Sequence, residues 1–449
     1  MKKPLLIFFL VVVAVIETVW ILKSNGFYYI DELSHYLYCR FVLQALPMTV
    51  QTWHRPIPQW LFALPAQFGH TFTMFFACGL FLCLLYIIYR IAILHGIKHA
   101  EWVIILVGLQ PILFDLSYAC MTEVPAAFMI SLSYFYHLKK KHGWSMALAS
   151  AVILCRSEMY IFAGLMFLVY AYKREWKILP LVLVGPLLWI GSTTLISGNI
   201  MTFFTEWKHF SNLGKFIPGV SVTHYIGNLH TTFGFAQVVL FLAGTIFIYR
   251  ARKNDEYGIL YATIAMTIIL HTLAGADIFH WTASIGELRY IAVVGPFFGI
   301  VSVYGLSGML DRVKSSGGRF AFSILVFGVV VLNCTLTTHP RRWPIYDQVV
   351  INLTKIIKNE YPNLTLLSNN SNAAYVMDVS PAGGPHFAMF NKKTLEKYPE
   401  CLILWDPFSS YSIFFQTELT KENVLKDTTI RVLERYNYWS AEYLVLYKH

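Results

Sequence analysis

Apolar stretches of bilayer length recur along the chain as far as residue 337 and then stop. Leu5–Leu22 is the first, and others cover 71–94, 102–119, 124–138, 179–197, 235–250, 258–275, 290–310 and 320–337. A membrane-spanning helix needs about 20 apolar residues, so each run predicts one crossing. The first run follows Lys2 and Lys3 as a secretory leader would. Thr18-Val19-Trp20 offers no small-residue cleavage site, however, which predicts an uncleaved first helix.

The stretch 144–172 does not fit a single crossing. At roughly 29 residues it is too long for one ordinary span and too short for two full ones. Its middle holds Arg156-Ser157-Glu158, and charges at that depth are costly unless they face a cavity. Two short helices turning near Arg156 satisfy both constraints and return the chain to the side it came from. Counting that pair as two gives about eleven helices.

The basic loops then fall on one side: Lys2/Lys3, Arg90/Lys98, Lys139–Lys141, Lys173/Arg174/Lys177, Arg250/Arg252/Lys253 and Arg312/Lys314/Arg319. By the positive-inside bias this side is cytoplasmic, with the N-terminus on it. A single span at 144–172 would invert everything after it. Residues 23–70, 117–123, 198–234, 276–289 and the tail are therefore expected outside.

After about residue 338 the apolar runs give way to a polar tail with strand-like segments at Leu364–Leu367, Cys401–Trp405 and Tyr443–Tyr447. A helical stretch is expected at Glu422–Tyr436, entered from a cap-like Thr420/Glu422 region. The expected architecture is a mainly α, polytopic membrane domain over 1–337 and a small external α/β domain over 338–449. No internal repeat is visible, which weighs against an inverted-repeat transporter.

Composition agrees with this picture. Hydrophobic residues make up 56% of the 449 and charged residues only 13%, against roughly 25% charged in soluble domains. The formal net charge of +10 could suggest nucleic acid in a soluble protein, but here it follows from the basic cytoplasmic loops. We therefore expect membrane lipids as surroundings and no nucleic-acid partner. The seven cysteines are odd in number and mostly apolar in context, with neither a disulfide framework nor a zinc spacing.

Candidate chemistry collects on the external side. The first loop, 23–70, begins with Tyr28-Tyr29-Ile30-Asp31-Glu32 and runs to His54-Arg55-Pro56-Ile57-Pro58-Gln59-Trp60. Between them Ile30, Leu33, Leu37, Phe41 and Val42 recur at helical spacing, which predicts an amphipathic helix at the interface. An acidic pair there suits a helix N-terminus and equally suits deprotonation of a hydroxyl. Glu123, followed by Pro125, stands at the start of a helix, where capping and a place on the same pocket as Asp31 both explain it. Arg156 and Glu158 are cavity-facing by the argument above. Gly286-Glu287-Leu288-Arg289-Tyr290 puts an arginine at an outer helix end, against the charge bias, and so asks for an anionic partner such as phosphate. His280 with Asp277 and Glu287 could ligate a metal, but the spacing matches no strong motif. Lys208, His209 and Lys215 suit anionic headgroups or plain solvation.

These elements, in this order, resemble the lipid-linked glycosyltransferases of the GT-C fold, particularly the protein O-mannosyltransferase and lipid A aminoarabinose transferase branch. The resemblance covers roughly residues 1–310. It rests on the acid pair Asp31-Glu32, the basic-residue–Pro step Arg55-Pro56 before Trp60, Glu123 before Pro125, and Arg289-Tyr290 ahead of Gly295-Pro296. This chain has His54-Arg55-Pro56 where relatives often carry Lys-Pro-Pro, and Arg156-Ser157-Glu158 where they usually have Lys-Gly. The family implies transfer of a hexosyl or pentosyl group from a polyprenyl-phosphate donor to a lipid, glycan or protein hydroxyl, at the outer face of a bacterial inner membrane. It implies Asp31 as general base, with Glu32 able to exchange roles. Glu123 would orient hydroxyls or support a divalent cation. Arg55, Arg289 and Tyr290 would bind the donor phosphate, in a cavity lined by His54, Arg156, Glu158, His280 and Glu287.

Two other classes remain. A polysaccharide polymerase or ligase is expected to carry several arginines in a long external loop, and 198–234 has none. A lipid or solute transporter is expected to place its binding groups at the midplane, whereas most candidates here sit at one face.

Overall fold

A computed structural model describes residues 3–44, 46–51, 53–205, 220–275, 286–407, 409, 419–438 and 441–449. Among these, five helices are long and apolar enough to cross a membrane: Pro4–Lys23, His70–Leu94, Trp176–Ser197, Tyr257–Ala274 and Ser316–Thr337. Shorter apolar helices cover His142–Leu154, Ser157–Tyr172 and Phe235–Arg250. The chain divides into two compact units.

The first unit holds Met1–Ser24, Val50–Leu61 and Phe68–Pro340. The run 102–119 departs from the single span expected of it. Ala100–Gly108 and Pro111–Ser117 are separate helices bent by 79°. Proline at 111 has no N–H to continue the upstream helix, and Gln110 before it is extended (φ −70°, ψ 123°). The Gln110 side chain donates to Gly295 O, at the start of the helix Gly295–Arg312, at 2.9 Å.

The expected hairpin at 144–172 is present. The chain is helical over His142–Ala151 and Tyr160–Tyr172, with short helical turns on either side of an extended Arg156 (φ −150°, ψ 114°). Its two outer ends meet: His142 Nδ1 lies 2.6 Å from Glu175 Oε2, and His137 Nδ1 lies 2.9 Å from Tyr170 Oη. The break at Arg156 thus falls at the far tip.

Small residues allow a close helix contact in this unit. A Cβ on Gly244 would lie 2.1 Å from Val301 O, and one on Gly305 would lie 2.1 Å from Leu240 O. The helices Phe235–Arg250 and Gly295–Arg312 therefore meet backbone to backbone, as small residues permit between membrane helices. Gly305→Leu is expected to lower the melting temperature in detergent, since overpacking costs about 1–3 kcal/mol or more. Gly328→Leu, where nothing lies within 4 Å, should leave it unchanged.

The second unit holds Asn25–Thr49, Phe62–Gln67 and Arg341–His449, so part of the first loop is built in with the tail. Its five-stranded sheet has the order Phe387–Ala388, Thr365–Leu367, Cys401–Trp405, Ala441–Lys448 and Ile430–Tyr438. Strands β1 (Thr365–Leu367), β2 (Phe387–Ala388) and β3 (Cys401–Trp405) run parallel, while β4 (Ile430–Tyr438) and β5 (Ala441–Lys448) close the other edge antiparallel. Leu367, Phe390, Ile403, Trp405, Leu444 and Leu446 form its core. The helix expected over Glu422–Tyr436 stops at Lys426. Thr420 caps it by accepting from Asn423 N. Asp427 then accepts from Thr429 N and Oγ1, a turn that sends residues 430–438 into β4. Pairing with β5 prevails over the helical composition there.

Asp347, in the first turn of Ile345–Glu360, accepts from Asn372 Nδ2 at 2.7 Å. Burial, reinforced by Asp406 and opposed by the Asn372 hydrogen bond, pushes its carboxyl from 3.8 up to about 6. The folded state therefore binds this proton more tightly than the unfolded state. Its stabilising contribution is full below about pH 4 and is lost as pH rises through about 6. Asp347→Asn is expected to raise the unfolding temperature at pH 7 by about 2–4 °C and to have little effect at pH 4, as read by melting across that range.

Candidate functional site

The candidate residues of the first unit meet at the hairpin tip. Arg156 is its hub. Its Nη1 donates to Glu123 Oε1 at 2.6 Å and to Thr122 Oγ1 at 3.2 Å, and its Nε donates to Glu158 Oε1 at 2.6 Å. Arg289 pairs closely with Glu287 and stands 3.8 Å from Glu123 Oε1. Arg55 Nη2 lies 4.0 Å from Glu158 Oε2. The Tyr290 ring is shared, with the guanidinium carbons of Arg156 and Arg289 at 5.2 and 5.6 Å from its centroid.

Local sequence explains how these groups converge. The extended backbone at Arg156 interrupts the helix and turns the side chain toward Glu123, the first residue of Glu123–Leu138. Arg289 opens the short helix Arg289–Ala292. Arg55 has φ +68° immediately before Pro56, a left-handed conformation that costs of order 1–3 kcal/mol in a non-glycine residue and persists only where its surroundings hold it. It presents a buried guanidinium to Glu158 from a different part of the chain.

Arg55, Arg156 and Arg289 are matched in number by Glu123, Glu158 and Glu287, and all but Glu158 and Glu287 are buried. Such a cluster persists only because each charge has a partner. Burial pulls the Arg55 guanidinium down to about 10, with Glu158 opposing the shift, so it remains a cation at neutral pH. The arrangement offers several guanidinium groups to an anion, held in place by carboxylates that an incoming phosphate would have to match.

His54 is buried with its ring edge-on to Trp53 at 4.5 Å. Asp31 and Glu32 lie in the second unit, in the first turn of Ile30–Arg40. Glu32 is fully buried and paired with Arg341, while Asp31 is partly exposed. His280, Asp277, Lys208, His209 and Lys215 lie outside the described residues. Among the described residues no group of three or more His, Cys, Asp or Glu is placed to hold a metal.

Two residues of these clusters were not anticipated. His271 stacks on Tyr290, with ring centroids 5.3 Å apart, and its signal was an ionisable side chain inside an apolar run. Arg341 stands just beyond the last apolar run on the expected external side. The sidedness test that singled out Arg289 applies to it equally.

Neither a family model nor a curated protein matches the chain by sequence. Two solved structures match it over nearly their whole length, both of ArnT from Cupriavidus metallidurans. The one bound to undecaprenyl phosphate has a TM-score of 0.62 at 10% identity, covering 99% of this chain and 98% of its own. The apo structure has a TM-score of 0.62 at 11% identity, covering 98% and 97%.

Proposed function

On the premise of a fold shared with ArnT, a lipid A aminoarabinose transferase of the GT-C class, we propose that this protein is an integral-membrane glycosyltransferase. It takes a sugar from a polyprenyl-phosphate donor and transfers it to a hydroxyl acceptor at the external face. The chain crosses the membrane about eleven times, with the N-terminus cytoplasmic and residues 338–449 outside. The observation that carries this reading is the buried Arg55–Arg156–Arg289 cluster at the tip of the 142–172 hairpin, in a fold whose ArnT example was solved with undecaprenyl phosphate.

In this mechanism Arg55 and Arg289, with the Tyr290 ring between Arg289 and Arg156, hold the donor phosphate. Guanidinium groups match its oxygens bidentately. Asp31 accepts the proton of the acceptor hydroxyl as that oxygen attacks the anomeric carbon. The bond from the anomeric carbon to the phosphate oxygen breaks, and polyprenyl phosphate leaves as a monophosphate anion. That leaving group needs little protonation, and fixed arginines stabilise the charge it develops. Glu123 orients sugar or acceptor hydroxyls, and Glu158 and Glu287 keep the arginines in register.

The test is reconstitution in liposomes with the host's own polyprenyl-phosphate sugars, labelled in the sugar, and host envelope as acceptor. Label moving from the lipid fraction into the envelope is the expected result. Label that crosses the bilayer while staying on its lipid would overturn the transferase reading in favour of a transporter.

A further inference from the structure

Around Glu32, the first loop and the start of the tail are joined through buried groups. Asn25 N donates to Arg341 O at 3.0 Å. A Cβ on Gly26 would lie 2.6 Å from Arg342 C and from Trp343 N, so only glycine lets the two segments cross there. Phe27 packs at 5.3 Å from Trp343 and 5.4 Å from Tyr375. Beyond this crossing Arg341 Nη1 reaches both oxygens of Glu32, at 2.8 and 2.9 Å, and its guanidinium carbon lies 5.8 Å from the Tyr28 ring centroid. The Tyr28 N–H also donates to Glu32 Oε2.

Both Glu32 oxygens are thus engaged, and its side chain is 0% exposed. A carboxylate held this way has no open path to a hydroxyl acceptor. Asp31 precedes it by one residue on the same first helical turn, rotated by about 100°, and is partly exposed. A second link lies along the same helix, where Arg40 Nε meets Asp378 Oδ1 at 2.9 Å. The helix bearing Asp31 is therefore clamped at both ends to residues of the tail.

We propose that Arg341 is a positioning residue for sugar transfer: by clamping Glu32 it fixes the helical turn that presents Asp31, which makes Glu32 an anchor and Asp31 the base. The inference rests on the function proposed above and assigns the tail a part in it. Breaking the clamp lets the turn bearing Asp31 shift, and a misplacement of about 1 Å can cost 100-fold in rate. The donor phosphate groups are elsewhere in sequence, so the loss falls on turnover and not on donor KM.

Two measurements test it in the full-length protein. The first is amide hydrogen exchange at residues 28–34, which needs no substrate. Arg341→Gln and Glu32→Gln are expected to speed exchange there by at least about tenfold, while Arg341→Lys restores much of the protection. Unchanged exchange overturns the clamp. The second is transfer of labelled sugar from the host's polyprenyl-phosphate sugars, with Asp31→Asn run alongside. Arg341→Gln is expected to reduce kcat about 100-fold with donor KM within about twofold, and Arg341→Lys to recover part of it. Full activity of Arg341→Gln beside an inactive Asp31→Asn overturns the positioning role and leaves the transferase reading intact. If wild type transfers no sugar, that reading fails, and the exchange measurement still decides the clamp.

Discussion

Asp31→Asn is expected to abolish sugar transfer while the protein still folds, inserts and binds its lipid donor. An amide is isosteric with the carboxylate but cannot take a proton at neutral pH, so only the step that deprotonates the acceptor is lost. A positioned general base typically contributes about 10²–10⁴-fold, and transfer should fall by that much. Asp31 is partly exposed, so the substitution removes no fully buried charge. Two readings on the same preparation settle it: initial rate of label transfer and affinity for undecaprenyl phosphate by quenching of tryptophan fluorescence. Near-normal transfer would remove Asp31 from the role of base. Loss of lipid binding together with transfer would mark it as a donor-site residue.

Arg156→Leu is expected to be the most destabilising change among the charged residues of the first unit. Arg156 is 6% exposed and donates to both Glu123 and Glu158. Removing it leaves two carboxylates without their main counter-ion. Breaking a buried pair in this way costs about 3–5 kcal/mol, and here the two acids, left to the longer contacts with Arg289 at 3.8 Å and Arg55 at 4.0 Å, also repel each other. The triple change Arg156→Leu, Glu123→Gln, Glu158→Gln removes the charges together and should recover most of the lost melting temperature. Transfer should not recover, because the arginines proposed to hold the phosphate, Arg55 and Arg289, lose Glu158 and Glu123 as the charges that position them. Thermal melting and transfer assays on the single and triple variants check this. Recovery of activity together with stability would reduce the cluster to a packing device.

Much of the helical architecture was legible, since a bilayer imposes a length on apolar helices that survives without tertiary detail. The hairpin at 142–172 is the clearest case. Its length and the charges of Arg156-Ser157-Glu158 in its middle demanded a break, and the break is there, with His142 and Glu175 meeting at the base. The bend at Gln110-Pro111 was missed although proline announced it, because hydropathy alone reads across a kink. Glu17 was missed too: it lies within the first apolar run yet faces the protein interior, where Cys78 Sγ donates to it at 2.6 Å. The stretch 430–438 was misread because its Arg-Val-Leu-Glu-Arg composition tolerates a helix, and the strand that overrides this preference is supplied by β5. Of the site, Arg156 and Glu158 were found from charges in mid-span, Arg289 from its place against the charge bias and Glu123 from its helix start, and they lie together with Glu287 and Tyr290. The partner of Glu32 was not legible, because a contact between residues 309 apart leaves no local pattern.

That separation also sets a timetable. Synthesis at about 5–20 residues per second puts roughly 15–60 s between emergence of Glu32 and of Arg341. During that interval Phe27, Leu33, Tyr36 and Leu37, all buried in the finished protein, lack the tail residues that complete their unit. The first loop must wait, half made, until nearly the whole membrane domain has been threaded into the bilayer. A chain that stops at residue 340 would never resolve that wait. Such a product should be a substrate for membrane quality control and not a smaller enzyme, and premature termination anywhere in the tail should behave as loss of the whole protein.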